Sequence, residues 1–293
     1  MSNLAIDEII KQCAIYVGLD EPTGTITTST DKNIKKLLQF SLQTGKEIRD
    51  NYYDTNLKKN HEITLAASDD QYTLPDDFWR MIPGTLWDQS NSWRIFGPIS
   101  DQDWNAFKHG IVSSLTRKRL RIFGYNPNSG EIYIDPVPGA TETISFDYIR
   151  KQWFLPQDWA ASTSYSSGDL VSSNGNIYSS GSTATSGSTR PTGTTTHDDG
   201  TITWTYVSGQ LYSDTSQQWL ADTDFPIIDD DLITMGTIWR FLRREGLEYQ
   251  DEKDEYYSEL TRRFSRMETS EILSFADSGL YQFVDNFPEG DYG

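Results

Sequence analysis

Residues 156–212 differ in composition from the rest of this chain and restrict how it can fold. The segment is rich in Ser, Thr and Gly, and Arg190 is its only Lys or Arg. It also contains aromatic and β-branched residues, in which disordered segments are poor. Asn174-Gly175 lies between apolar pairs, as in a two-residue hairpin, and residues 201–206 alternate as in a half-buried strand. We therefore predict a small folded β module inserted into an exposed loop of a host domain.

The sequence outside this module predicts helices near both ends and strands between them. Helical periodicity covers residues 3–18, 30–53, 232–244 and 249–275. Alternating residues around turn signals predict hairpins within 63–74, 81–99 and 119–135, a capped short helix over 101–109, and a strand over 143–153. The expected class is α+β, with a helical bundle and a hairpin layer. We expect a discontinuous host domain (1–155 and 213–276), the module (156–212) and an extended C-terminal tail (277–293).

Charge and cysteine content exclude several classes of protein. The net charge is −18, whereas nucleic-acid binders carry basic faces, so tight duplex binding is not expected. An acidic surface instead suits a channel through which DNA slides without adhering. Cys13 is the single cysteine and lies among apolar residues, which predicts a buried core position and excludes an intrachain disulfide. The sequence shows no apolar run of membrane-spanning length and no secretory signal, so we expect no membrane partner.

One motif in the module resembles a known family. The pattern W-x5-Y-x2-G-D-x-V-x3-G-x2-Y runs from Trp159 to Tyr178 and resembles the small carbohydrate-binding modules of chitinases. Residues 199–206, DGTITWTY, are similar to modules that recur in phage tail proteins. The resemblance implies a compact β fold and glycan contact, although Ser179-Ser180 stands where chitin-binding relatives have exposed aromatic residues. Four residues are therefore candidates for either the module core or a glycan platform: Trp159, Tyr165, Tyr178 and Trp204.

Two segments of the host domain resemble head-to-tail connector proteins of short-tailed bacteriophages, also called tail tubular protein A or gatekeeper-type adaptors. They are residues 63–82, ITLAASDDQYTLPDDFWRMI, and 130–138, GEIYIDPVP, and the likeness extends to the terminal helices. It implies a virion protein, made in the host cytoplasm, that forms a ring, usually of about twelve copies, below the portal. It further implies partners in the portal, the tail nozzle protein and tail fibres, with DNA passing through the lumen. The module departs from the smallest members of that family.

Two groups of residues are candidate interaction sites. The C-terminal tail has closely spaced apolar residues, and by resemblance it docks into portal clefts: Leu280, Tyr281, Phe283, Val284 and Phe287. A basic segment is a candidate portal- or DNA-facing loop: Arg117, Lys118, Arg119 and Arg121. A second basic group, Arg240, Arg243 and Arg244, is interpreted as salt-bridge partners on a helix face.

The sequence contains no recognisable catalytic constellation, and we expect no catalytic residue, metal site or cofactor. The three histidines, His61, His109 and His197, lie in different segments. The densest acidic runs have ordinary explanations, since Asp76-Asp77 suits a turn and residues 229–231 suit a helix N-terminus.

Three classes of function remain. The favoured one is a structural neck adaptor that joins the portal to the tail and forms part of the DNA ejection channel. The alternative is a glycan-binding tail component that uses the module. A polysaccharide-degrading enzyme is disfavoured because accessory sugar modules usually lie at enzyme termini, whereas residues 156–212 lie inside the chain.

Overall fold

Five helices form in the described part of the computed structural model: α1 (Ile6–Tyr16), α2 (Lys32–Asn51), α3 (Asp101–His109), α4 (Asp230–Glu245) and α5 (Gln250–Met267). Residues at or next to the helix ends determine where the helices begin and end. Asp31 caps α2, since its Oδ1 accepts hydrogen bonds from the amides of Asn33 at 2.7 Å and Ile34 at 3.1 Å. Gly246 ends α4 at a φ of 74°, in the left-handed region that glycine adopts without steric cost. The structure describes residues 4–52, 54–109, 117–123, 130–207 and 218–267.

The chain folds as two compact units. The first unit combines Met1–Leu57 with Arg150–Met267, and the described part of the second is Lys58–Ile149. The module and the long helices therefore belong to one unit, and most of the predicted hairpins to the other. The mixed α+β class is confirmed, because helices and antiparallel sheets are both present.

In the first unit, α4 contacts α1, α2 and α5. Glycines in α2 and α4 allow close packing against these helices. A Cβ atom on Gly236 would lie 2.3 Å from Cγ2 of Thr44, and one on Gly45 would lie 2.3 Å from the Trp153 ring. Cys13 is fully buried, as predicted, and burial raises the pKa of its thiol to about 12. No helix in the described ranges is long and apolar enough to cross a membrane.

The described residues of the second unit form two sheets around one apolar core. In the first sheet, β1 (Lys58–Leu65) pairs with β8 (Glu142–Arg150), which also pairs with β3 (Phe78–Met81) and β4 (Trp87–Asp88), and β4 pairs with β5 (Trp93–Arg94). The second sheet has the order β2 (Gln71–Thr73), β7 (Glu131–Asp135), β6 (Arg119–Phe123). The predicted hairpin within 119–135 is confirmed as β6 and β7.

The predicted hairpin within residues 63–74 is wrong. Ile63 of β1 pairs with Ile144, whereas Tyr72 of β2 pairs with Ile132, so the two strands join different sheets. The turn is real, but the Tyr72 hydroxyl holds it, accepting from the Ala66 amide at 3.0 Å and donating to the Asp69 carbonyl at 2.9 Å. All eight residues of β1 pair with β8, a longer ladder than the short β2 offers.

The segment from 154 to 226 carries the remaining strands. At its base, β9 (Phe154–Leu155) pairs with β16 (Phe225–Pro226). A four-stranded sheet has the order β11 (Leu170–Ser173), β12 (Asn176–Ser180), β15 (Thr203–Val207), β14 (His197–Asp198), and β10 (Ser164–Tyr165) pairs with β13 (Ala184–Thr185). The Asn174-Gly175 hairpin is confirmed: both residues have positive φ, 50° and 77°, as a tight two-residue turn requires.

Candidate functional site

The predicted basic segment lies on β6 and just before it, and its four cations have different surroundings. Lys118 is 6 % exposed, and its Nζ pairs with Asp88 at 2.8 Å and also with Glu142. Burial alone would lower the pKa of Lys118, but the two carboxylates outweigh it and raise that pKa. Arg117 is partly exposed. The ammonium group of Lys118 is therefore part of the interior of the second unit, which makes it a poor candidate for contact with a large partner.

Arg119 and Arg121 lie on the same face of β6 and support α3. The Arg119 guanidinium lies 3.7 Å from the centre of the Phe107 ring, and that of Arg121 lies 4.8 Å from the Trp104 ring. Tyr133, opposite Arg121 in the register, lies 5.3 Å from the same guanidinium. The ordinary explanation of these arginines is that they hold α3 on the sheet.

The four aromatic candidates of the module lie in its core. Tyr178 and Trp204 are fully buried, Tyr165 is 3 % exposed and Trp159 is 6 % exposed. They pack with Val171 and Ile202, and the rings of Tyr165 and Trp204 meet edge to face with centres 5.2 Å apart. Faces buried in this way cannot stack on a sugar ring. The geometry therefore agrees with the interpretation of these four residues as core residues of the module. They do not form an exposed platform for a glycan.

Asp199 organises the loops of the module, a role that the sequence interpretation missed. Its Oδ1 accepts from the amides of Thr201 at 3.0 Å and Ile202 at 2.7 Å, and its Oδ2 accepts from the Gly187 amide and the Trp204 indole, each at 3.0 Å. Burial alone would raise the pKa of Asp199, but these donors outweigh burial and hold that pKa well below its usual range. One carboxylate thus ties the β14–β15 turn to the loop after β13 and to the central tryptophan.

A polar network joins α2, α4 and α5. Glu47 pairs with Arg240 and accepts from the hydroxyls of Tyr256 at 3.3 Å and Tyr257 at 3.0 Å. Arg240 also donates to Oγ1 of Thr44 at 2.9 Å, and its guanidinium lies 4.4 Å from the Trp239 ring. Burial, followed by the charge of Glu47, raises the pKa of the Tyr256 hydroxyl, so this group stays protonated and donates.

The second basic group, Arg240, Arg243 and Arg244, has only one member in this network. Arg240 forms the predicted salt bridge, whereas Arg243 and Arg244 are exposed and make no ion pair within the described residues. With Phe40, Gln43, Trp239 and Arg240 they line a surface cleft of about 340 Å³. We refer to these six residues as the cationic cleft.

The acidic run at the N-terminus of α4, residues 229–231, has the predicted capping role. Asp229 accepts from the Asp231 amide at 3.0 Å, and the carboxylate oxygens of Asp229, Asp230 and Asp231 lie within 4.8 Å of one another. The Arg263 guanidinium pairs with both Asp229 and Asp231. An arginine therefore supplies the positive charge that three clustered carboxylates attract.

The remaining candidates do not converge. His61 lies in β1, His109 ends α3 and His197 begins β14. Burial lowers the pKa of His61, whose ring meets Phe146 edge on with centres 5.5 Å apart, as expected of a neutral packed histidine. The five tail residues, Leu280, Tyr281, Phe283, Val284 and Phe287, lie outside the described residues.

Comparison with known protein families gives one match. Residues 5–182 match the family model described as SU10 adaptor protein, and this range is more than half of the chain. The chain belongs to the SU10 adaptor protein family. This is a phage head–tail adaptor family, so the protein is a structural phage adaptor and a component of the virion. A search of curated proteins found no match.

The matched range includes α1 and α2, the second unit, and the first half of the module up to the end of β12. Asp199 and α4, which supplies four of the six residues of the cationic cleft, lie beyond that range. Motif inspection could not find Glu47, because its partners Arg240, Tyr256 and Tyr257 come from distant segments of the chain. The DGT turn at 199–201 was the one local signal of the role of Asp199.

Proposed function

We propose that this adaptor forms a ring that joins the portal to the tail and surrounds part of the DNA ejection channel. The observation that carries the proposal is the family match over residues 5–182. The likeness of segments 63–82 and 130–138 to connectors of short-tailed phages adds the ring and its place below the portal. Closed rings of identical copies are a common outcome of head-to-tail contacts.

The charge of the chain supports a channel that does not retain DNA. Each copy carries a net charge of −18, so a ring presents a strongly negative surface to the phosphates. Several cations are already paired with carboxylates of the same chain, among them Lys118, Arg240 and Arg263. We expect no duplex binding by the free adaptor at physiological salt, and submicromolar binding in a fluorescence anisotropy titration would contradict this.

The C-terminal tail is the proposed portal-docking element. Leu280, Tyr281, Phe283, Val284 and Phe287 are apolar and closely spaced, and each contributes about 1–3 kcal/mol if buried in a portal cleft. A chain lacking residues 277–293 should lose association with its portal in a pull-down while its far-ultraviolet circular dichroism stays helical. Undiminished docking by this truncated chain would refute the role of the tail.

The proposed role of residues 156–212 is that of an inserted module on the outside of the ring, available to tail fibres or the tail nozzle protein. Its own aromatic core supports this role. A glycan-binding function is not proposed, because its four candidate aromatic residues are at most 6 % exposed. Replacing residues 157–211 by a short Gly/Ser bridge should leave the helices folded, since loop-closure costs grow slowly with length. Loss of helical structure in that variant would show that the host depends on the module.

We propose a structural role without catalysis. The support is the family match and the position of the three histidines in separate elements. Electron microscopy of the adaptor mixed with its portal tests the main proposal, with a ring on the portal as the expected result. If virions lacking the adaptor keep an intact neck, or if the adaptor and its portal do not associate, the proposal fails.

A further inference from the structure

The cationic cleft presents two exposed arginines beside a buried tryptophan ring. Arg243 and Arg244 are exposed at the last turn of α4 and form no ion pair within the described residues. Trp239 lines the same cleft, is 5 % exposed, and its Nε1 has no hydrogen-bond partner in the described part of the chain. This Nε1 atom is itself buried, so the groups that the cleft presents to a partner are the guanidinium groups of Arg243 and Arg244. A partner that fits the cleft must therefore supply negative charge.

A second concavity has the opposite character. It lies between α4 and α5, has a volume of about 320 Å³, and its lining includes Asp231, Thr234, Glu255, Ser258, Glu259 and Arg263. We call these six residues the acidic groove. Three carboxylates face one guanidinium there, and Glu255 is exposed with no ion pair among the described residues. The groove therefore offers negative charge that complements the two exposed arginines of the cleft.

The two concavities open on different sides of α4, since the cleft is lined by α2 and α4 and the groove by α4 and α5. Asp231 and Arg240 are nine residues apart, which corresponds to about two and a half turns at 3.6 residues per turn. A two-fold contact brings the same surface of both copies together, so it would place cleft against cleft. Two different surfaces of one copy instead suit a head-to-tail contact between copies. Such a contact closes into a ring when the rotation between copies allows it.

We propose that the cationic cleft of one copy receives the acidic groove of a second copy, with Glu255 paired to Arg243 and Arg244. Copies that each carry a net charge of −18 repel one another, so their contact requires local complementarity of this kind. The inference rests on the proposed ring and names the surfaces through which its copies meet.

Charge reversal in the full-length chain tests the contact by sedimentation velocity over a wide concentration range. The cleft variant is R243E/R244E, and the groove variant is E255K/S258K, which leaves the ion pairs of Arg263 in place. A matched control, K32E/K35E, makes the same charge change as the cleft variant at two exposed lysines of α2. Circular dichroism verifies that all three variants fold.

We expect each reversal alone to weaken self-association at least about tenfold, since like charges then meet across the contact. An equimolar mixture of the two variants should restore association, because the reversed cleft fits the reversed groove and the two unaltered surfaces fit each other. Assemblies of the mixture should contain both variants in equal number. The control should associate as the unaltered chain does.

Three results would overturn the inference: an unaltered chain that stays monomeric at every concentration, reversals no more disruptive than the control, or a mixture that fails to recover. Imaging of virions that carry the R243E/R244E chain separates this failure from failure of the proposed function. A normal ring in those virions would refute only the assigned contact. Absence of a ring in virions with the unaltered chain would refute the proposed function itself.

Discussion

The four long helices and the β module belong to one compact unit, yet they are held together by different groups. Where α2, α4 and α5 meet, long side chains bridge the elements, with Glu47 pairing with Arg240 and accepting from two tyrosines. In the module, Asp199 instead accepts three of its hydrogen bonds from backbone amides. The difference follows from backbone chemistry. A helix satisfies its own amides, whereas short strands and long turns leave amides that side-chain oxygens must satisfy.

Removing the central ring of the module should have the largest effect. Trp204 is fully buried against Tyr165 and donates to Asp199, so Trp204→Ala should cost about 3–5 kcal/mol. Hydrogen exchange should then rise across residues 158–207 while α2 and α4 stay protected. Trp87→Ala, at a ring that is 42 % exposed, serves as the control. Equal deprotection of α4 would mean that helices and module unfold as one.

Breaking the helical network should have the next largest effect. Arg240→Met leaves Glu47 partly buried without its cation, and we expect a loss of about 3 kcal/mol in chemical denaturation. The matched Arg243→Met, at an exposed arginine of the same helix, should change stability by less than about 0.5 kcal/mol. The double variant E47Q/R240M should recover part of the loss, because no uncompensated charge remains. Identical effects of the two single variants would contradict the role assigned to the network.

Acid should affect the module through Asp199. Its folded-state pKa lies below the unfolded value of about 3.9, so its stabilising contribution is present above that pH and is lost as pH falls towards the folded pKa. Asp199→Asn should lower stability at neutral pH by about 2 kcal/mol and flatten the acid limb of the stability curve. Asp198→Asn, whose side chain accepts from the Gly200 amide at 2.9 Å, is the control. An unchanged acid limb in Asp199→Asn would show that other carboxylates set it.

The smallest effect is expected at the surface of the module. Arg190 makes a bidentate ion pair with Asp158 at 2.9 and 2.7 Å, but both side chains are over a third exposed. Arg190→Met should therefore cost only about 0.5–1 kcal/mol, and a double-mutant cycle with Asp158→Asn isolates the pair. A loss as large as that of Trp204→Ala would make the ion pair, and not the aromatic core, the main stabiliser of the module.

Local signals predicted the parts of this adaptor whose chemistry is local. Asp31 caps the start of α2 and Gly246 ends α4, as their residue types suggest, and Asn174-Gly175 forms its hairpin. These outcomes depend on hydrogen bonds and dihedral angles within a few residues, which short sequence patterns describe. The periodicity of the terminal helices similarly required no knowledge of their partners.

Pairing and burial between distant segments were decided by the tertiary structure. A turn at residues 66–70 was readable from the sequence, but the assignment of β1 to β8 and β2 to β7 depends on strands many residues away. The basic cluster around Lys118 suggested an exposed loop until Asp88 and Glu142 were seen to bury its charge. The sequence by itself thus determined where elements begin, end and turn, because those choices are made by neighbouring residues. Which charges are paired and which remain free for a partner was decided only when the fold brought distant side chains together.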